Sequence, residues 1–195
     1  LDEDGDMDVL SASSSDGKVA WYKNDGYENF TAYTIATNGM HSVRAADMDG
    51  DGDIDVVSTL HSNKKGVVWH KNNGSESFST ETIIDSLSIP KDVFLADVND
   101  DGFLDVLSAS SGDNLVNWYE NDGEGNFTTR TIGTAAYTQR VVPADVDGDG
   151  DLDVLSMGHT TNKILWFENM GDNCPQIVNP NQTDADEDGI GDACQ

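Results

Sequence analysis

The chain has 195 residues, with 37 aspartates and glutamates against 10 lysines and arginines, for a formal net charge of −27. That balance excludes nucleic acid and anionic membrane surfaces as partners, because both are polyanions, and no apolar run is long enough to span a bilayer. Charge of this size would disperse the chain by self-repulsion unless it were clustered where cations neutralise it.

The first segment is such a cluster. "LDEDGDMDVLSAS", residues 1–13, carries Asp2, Asp4, Asp6 and Asp8 at alternate positions and then turns apolar. "VAWYKNDG" follows around Trp21, and then "NFTAYTI". The next acidic stretch, "DMDGDGDIDVV" at 47–57, is complete and reveals the pattern. Asp47, Asp49, Asp51 and Asp55 fall at positions 1, 3, 5 and 9 of a Ca²⁺ loop, and Asp53 at position 7 would offer its backbone carbonyl. Gly50 and Gly52 allow the tight turn. Carboxylates this close raise one another's pKa or open the loop unless a cation sits among them. Hard oxygen donors in a flexible ring suit Ca²⁺ better than zinc or a redox metal.

Two more copies follow, "DVNDDGFLDVLSAS" at 97–110 and "DVDGDGDLDVLSMG" at 145–158. The first supplies Asp97, Asn99, Asp101 and Asp105; the second supplies Asp145, Asp147, Asp149 and Asp153, with Asp151 at position 7. Phe103 stands at position 7 of the third loop, as expected where only the carbonyl is used. The loop at the start of the chain is entered one residue late, so Asp2, Asp4, Asp6 and Asp8 take positions 3, 5, 7 and 9.

Complete loops begin 50 and 48 residues apart, and Trp21, Trp69, Trp118 and Trp166 recur at intervals of 48, 49 and 48, so the repeat is about 48 residues long. Each unit contains up to four short apolar segments, in the second copy "HSVRAADM", "DIDVVSTL", "GVVWHKN" and "SFSTETII". Val, Ile, Thr, Trp and Phe fill them, turn residues separate them, and no 3.6-residue period is sustained. The expectation is an all-β β-propeller of four-stranded blades. The repeats run about 1–46, 47–96, 97–144 and 145–171. The chain enters its first repeat after the first strand and leaves the fourth after the third. A fragment of a larger ring, joined to the rest of a larger polypeptide, is therefore expected.

After Gly171 the strand pattern gives way to "DNCPQIVNPNQTDADEDGIGDACQ". Asp184, Asp186, Asp188 and Asp192 again take positions 1, 3, 5 and 9, with Ile190 at position 7. Cys174 and Cys194, the two cysteines of the chain, bracket this loop. They read as one disulfide in an oxidising compartment, and closing a loop of roughly 20 residues contributes about 3 kcal/mol.

The unit "ADMDGDGDIDVVS…VVWHKNNG…F" resembles the FG-GAP or VCBS-type repeat of bacterial secreted proteins, related to the calcium-loop blades of integrin α-subunit propellers. The resemblance covers residues 1 to about 171 and implies a propeller with Ca²⁺ in the hairpin between the first two strands of a blade. The tail at 172–195 resembles a thrombospondin type 3 repeat, a calcium-saturated module with little core of its own. Together they imply about four to five Ca²⁺ ions, enough to neutralise roughly ten of the negative charges and to couple metal to folding.

No catalytic constellation accompanies these loops: there is no HExxH, no GxSxG and no phosphate-cradling glycine loop. Paired carboxylates are abundant, but metal-ligand spacing accounts for them. His70 occupies the slot after Trp69 that holds Tyr22, Tyr119 and Phe167 elsewhere, which points to packing. Equal spacing gives the tryptophans a role in filling the gap between blades, and the irregular residues Tyr27, Tyr33, Tyr137 and His159 remain candidates for ligand contact. Arg44 and Arg140, with Lys91 near the equivalent place, either pair with loop carboxylates or face the ring channel, and the first is the expectation. The resulting expectation is a non-enzymatic, secreted or cell-surface, bacterial calcium-binding protein serving adhesion or the binding of an extracellular protein or glycan. The alternative is a carbohydrate-binding accessory module of a secreted polysaccharide-degrading enzyme.

Overall fold

The structure is a computed structural model that describes residues 1–37, 39–60 and 65–169. The tail expectations, with Asp184, Asp186, Asp188, Ile190, Asp192, Cys174 and Cys194, lie outside the described residues.

Every regular element among the described residues is a strand. β1 (Val9–Ala12), β2 (Lys18–Asn24) and β3 (Phe30–Thr37) form the first sheet, and β4 (Gly39–Ala46), β5 (Asp55–Leu60), β6 (Gly66–Asn72) and β7 (Phe78–Ile84) the second. β8 (Pro90–Ala96), β9 (Asp105–Ser110), β10 (Leu115–Asn121) and β11 (Phe127–Thr134) form the third, and β12 (Thr138–Ala144), β13 (Asp153–Gly158) and β14 (Lys163–Phe167) the fourth. Each sheet is an antiparallel meander in sequence order, a propeller-type blade. Each four-stranded blade begins with the strand before the acidic loop, so sequence repeat and blade are out of phase by one strand. No described helix is long and apolar enough to cross a membrane.

The first strands β4, β8 and β12 lie side by side, placing neighbouring blades face to face. A middle strand is then covered on both sides, which explains why β5 and β9 are buried at every residue while β7 and β11 are largely exposed. Two apolar clusters fill the gaps between blades. Met48, Val57, Val67 and Trp69 of the second blade pack against Val93, Val106 and Tyr119 of the third. Val98, Leu107, Ala109 and Val116 of the third pack against Val141 and Val154 of the fourth. Trp69, 2% exposed, fills the first of these gaps and Trp118 packs partly buried against the second, while Trp21, 1% exposed, stacks on Tyr33. Trp166 keeps 46% exposure, because no described sheet lies over that face of the fourth blade.

The repeat extends to strand irregularities. The register shifts between Val19 and Ala20, between Val67 and Val68, and between Val116 and Asn117, each pair just before its tryptophan. Extra residues at these places add local twist, which helps successive blades rotate about a common axis.

Candidate metal centres

Each acidic loop is first a backbone turn. At position 1 the carboxylates accept amide hydrogens from their own loop: Asp47 from Gly50 at 2.8 Å and Gly52 at 3.0 Å, Asp97 from Asp101 and Gly102, Asp145 from Gly148 and Gly150. At position 5, Asp51, Asp101 and Asp149 each accept the amide two residues on at 2.9 Å, and Asp4 does the same at 3.0 Å. Position 6 is left-handed in the four loops among the described residues, with φ of 91° at Gly5, 95° at Gly52, 90° at Gly102 and 102° at Gly150, which favours glycine there.

Position 9 carries more structure than its spacing suggests. Asp55 accepts the amide of Asn72 at 2.7 Å and that of Met48 at 3.3 Å, one to each carboxylate oxygen. Asp105 holds Asn121 and Val98 in the same way, and Asp153 holds Asn169 and Val146. Asp8 repeats the pattern with Asn24 and the amino group of Leu1. Asp55, Asp105 and Asp153 are fully buried. Burial pushes the pKa of Asp55 up, and that of Asp105 up to about 6, against the pull of their amide donors. For Asp153 burial is the largest single influence and pushes upward, but the Asn169 and Val146 amides with the Trp166 indole together outweigh it and its pKa is lowered. The indole N–H groups of Trp69 and Trp118 are buried without a well-formed hydrogen bond, yet they face Asp55 and Asp105 closely enough to oppose the rise.

Position 7 turns its side chain outward. A Cβ on Gly74 would lie 2.6 Å from Oδ2 of Asp53, and one on Gly123 would lie 2.4 Å from the Phe103 ring. The Asp6 carboxylate covers Gly26 in the first blade. In the first three blades the glycine of the Trp-x-x-Asn-x-Gly marker thus seats the position-7 side chain of its own blade, leaving only the carbonyl of that residue for the loop. That the loop does without a carboxylate at Phe103 was legible; the glycine under its ring was not.

The structure brings Asp47, Asp49 and Asp55 together in the second blade, with one carboxylate oxygen from each within 4.8 Å of the others, and Asp145, Asp147 and Asp149 likewise in the fourth. Asp51 and Asp153 stay outside these groups, engaged by Asp53 N–H and by the amides above. In the third loop Asn99 replaces one carboxylate and donates to Asp101 at 2.9 Å. Asp151 has its pKa raised by burial and then by Asp149, Asp100, Asp145 and Asp153, so the third and fourth loops repel each other. The donor set is hard oxygen throughout. In two loops an ammonium already stands against the position-3 carboxylate, Lys23 on Asp2 and Lys71 on Asp49. The residues that converge, positions 1, 3 and 9 in the second loop and 1, 3 and 5 in the fourth, are hard oxygen donors of a kind that fits a cation such as Ca²⁺.

The basic residues before the loops do not pair with them, contrary to expectation. Arg44 and Arg140 both reach Asp92, a buried residue of β8, each at 3.4 Å from its Oδ1, and Ser42 donates to the same oxygen at 2.8 Å. Lys91 contacts Nε2 of His41. Ser42, Asp92 and Arg140 stand at one register of three neighbouring first strands, and only that juxtaposition identifies Asp92 as the partner. His70 packs as expected: it is 1% exposed, its ring bridges Ser58 and Thr80 at 2.9 Å each, and burial lowers its pKa to about 4. Tyr27 and Tyr137 are well exposed, whereas Tyr33 stacks on Trp21 with ring centroids 5.1 Å apart. Tyr27 and Tyr33 belong to the first blade, whereas Tyr137 adjoins the fourth, where its carbonyl accepts the His159 amide at 3.3 Å, so the candidates fall into two pairs on different blades.

The family model for the FG-GAP-like repeat matches residues 1–58, 47–108 and 97–156. Among solved structures, a lectin from Agrocybe aegerita, described for specific recognition of non-reducing terminal N-acetylglucosamine, matches with a TM-score of 0.51 at 20% identity. The match covers 77% of this chain and 46% of that one, so the chain spans less than half the length of the lectin, and at this identity the likeness is one of fold alone. No curated protein matches the chain.

Proposed function

The chain belongs to the FG-GAP-like repeat family, and on that premise we propose that it is a non-enzymatic, extracellular, calcium-loaded repeat protein whose blades present a binding surface to a protein or glycan. The observation that carries this reading is the recurrence of one acidic loop in successive blades, with three carboxylates converging in the second and again in the fourth. Calcium at positions 1, 3, 5 and 9 would neutralise carboxylates that otherwise repel one another across and between loops. The sites are then structural, and ligand contact falls to residues that vary from blade to blade.

The glycan side of the proposal takes its support from the lectin of like fold. A carbohydrate-binding accessory module of a secreted polysaccharide-degrading enzyme is the more specific form of the same idea.

Thermal unfolding with Ca²⁺, with Mg²⁺ and with excess chelator tests the metal reading. Stability that falls by tens of degrees in chelator and returns with Ca²⁺ but poorly with Mg²⁺ is the expected result; an unchanged transition would sink it. Glycan-array binding at fixed Ca²⁺, with N-acetylglucosamine-terminated chains included, then separates glycan from protein ligands.

A further inference from the structure

Resting on the calcium reading above, we propose that the residue two positions after each repeat tryptophan sets how strongly its loop depends on an external divalent cation. Lys71 is a tethered counter-ion in the second loop, as Lys23 is in the first, whereas Glu168 leaves the fourth loop uncompensated.

These positions hold Lys23, Lys71, Glu120 and Glu168 in successive blades. In the second blade the Lys71 ammonium contacts Asp49, one of the three converging carboxylates, and is held there over the Trp69 ring at 5.5 Å. In the first blade Lys23 contacts Asp2 and reaches Glu76 of the second blade at 2.8 Å. The Asp2 side chain is 7% exposed, and neither of its oxygens accepts a well-formed hydrogen bond, so the ammonium is the charge that compensates it. A buried carboxylate without such compensation is costly. In both blades a cation thus already occupies the neighbourhood of position 3, supplied by the chain.

The other two blades reverse the charge. In the third, Glu120 is engaged by Arg130, with Nη2 at 2.6 Å, and position 3 is the neutral Asn99, which donates to Glu120 at 3.4 Å. Charge has moved from the loop to the strand, and an arginine balances it. In the fourth, Asp147 keeps position 3, Glu168 stands where the lysines stand, and among the described residues no ion pair reaches a carboxylate of this loop. The fourth loop is also the one where Asp145, Asp147 and Asp149 converge, so it combines the largest uncompensated charge with a formed donor cluster.

A divalent ion entering the second loop must displace or repel Lys71, while one entering the fourth meets only carboxylates. Affinity at such sites follows ligand charge and rigidity. The fourth loop is therefore the tightest site and the most cation-dependent, and the first two are the weakest.

The test is Ca²⁺ calorimetry together with Tb³⁺ luminescence excited through the tryptophans, on the 195-residue chain and its Lys71→Glu, Lys71→Met and Glu168→Lys variants. Lys71→Glu is expected to tighten the weakest class of sites about tenfold or more, Lys71→Met by less, and Glu168→Lys to weaken the tightest class about tenfold. In chelator Lys71→Glu is expected to melt below the parent and to recover on adding Ca²⁺. Binding curves that Lys71→Glu and Glu168→Lys leave superimposed on the parent overturn the inference while the calcium reading stands. Absence of Ca²⁺ and Tb³⁺ binding in the parent overturns both. Glu168 is exposed just after β14, where lysine is tolerated, so the Glu168→Lys result holds even if a Lys71 variant fails to fold.

Discussion

Replacing Asn121 with alanine isolates the bond that joins neighbouring blades. The Asn121 side chain is 1% exposed; its Nδ2 donates to Met48 O in the second blade and to Leu104 O in its own, both at 3.1 Å, and its Oδ1 accepts the Gly123 amide at 3.2 Å. Alanine removes all three bonds and leaves two buried carbonyls without this donor. At about 1 kcal/mol per lost bond the cost is about 3 kcal/mol, which lowers the melting temperature of a chain this size by roughly 6–12 °C. Asn24 is the internal control. It holds the same place in the first blade, but its Nδ2 donates only to Met7 O at 3.2 Å and its Oδ1 accepts the Gly26 amide at 3.1 Å, both in a solvent-exposed setting. Asn24→Ala loses two bonds that water replaces and leaves no buried carbonyl behind, so it should cost about 1 kcal/mol. Asn121→Asp sharpens the comparison, since it keeps shape and the acceptor for Gly123 but loses both donors. Urea unfolding at fixed Ca²⁺, followed by tryptophan fluorescence, reads each difference as a shift in midpoint at constant slope. Equal costs for Asn121→Ala and Asn24→Ala, or a near-neutral Asn121→Asp, would refute the claim that this asparagine staples one blade to the next.

Two further outcomes follow from the same geometry. His70 stays neutral in the folded chain down to about pH 4, while its unfolded counterpart takes a proton near 6.5. Stability from this residue is thus complete above pH 6.5 and is lost as pH falls toward 4, to a total of about 3 kcal/mol. His70→Tyr copies Tyr119, whose hydroxyl meets Ser108 at 3.1 Å as His70 meets Ser58, and should flatten the difference in urea midpoint between pH 7 and pH 4.5; a parallel loss in parent and variant would refute the assignment. Gly123→Ala should cost more than about 2 kcal/mol, because the new Cβ meets the Phe103 ring at 2.4 Å and φ is +74°. Phe103→Ala in that background should recover the steric part but not the backbone part, and a double-mutant cycle with no coupling would show that the two residues do not meet.

The strands, the loops and the His70 slot were legible in the sequence because their causes lie within one repeat. Alternating apolar residues, a nine-residue acidic spacing and a large side chain after each tryptophan are all short-range signals. Position 7 was legible for the same reason, since Phe103 in one copy removes the carboxylate and leaves the loop intact. Position 9 was legible only in part. Its spacing marks it as a loop donor, but the amides it holds come from seven residues before and 16 or 17 after, in the strand that follows the hairpin. The carboxylate that defines the loop also fastens it to the next strand, and burial there is what separates Asp105 from the exposed acids around it.

The contacts between blades were not legible, for a geometric reason. Asn72 reaches Leu1 across 71 residues, Asn121 reaches Met48 across 73, and Asn169 reaches Val98 across 71. That offset is about one and a half repeats, so aligning the copies on one another sets each asparagine beside the loop of its own blade and hides the loop it also holds. Arg44 and Arg140 were misassigned in the same way. They precede their loops in sequence, but Arg140 shares its register with Ser42 and Asp92, and Arg44 lies two residues further along the strand. The partner of each is fixed by how far one blade is displaced against the next, a quantity that no single repeat contains. In the second and third blades the Trp-x-x-Asn-x-Gly marker meets both demands at once: the glycine makes room for position 7 within the blade, and the asparagine ties the blade to the preceding one.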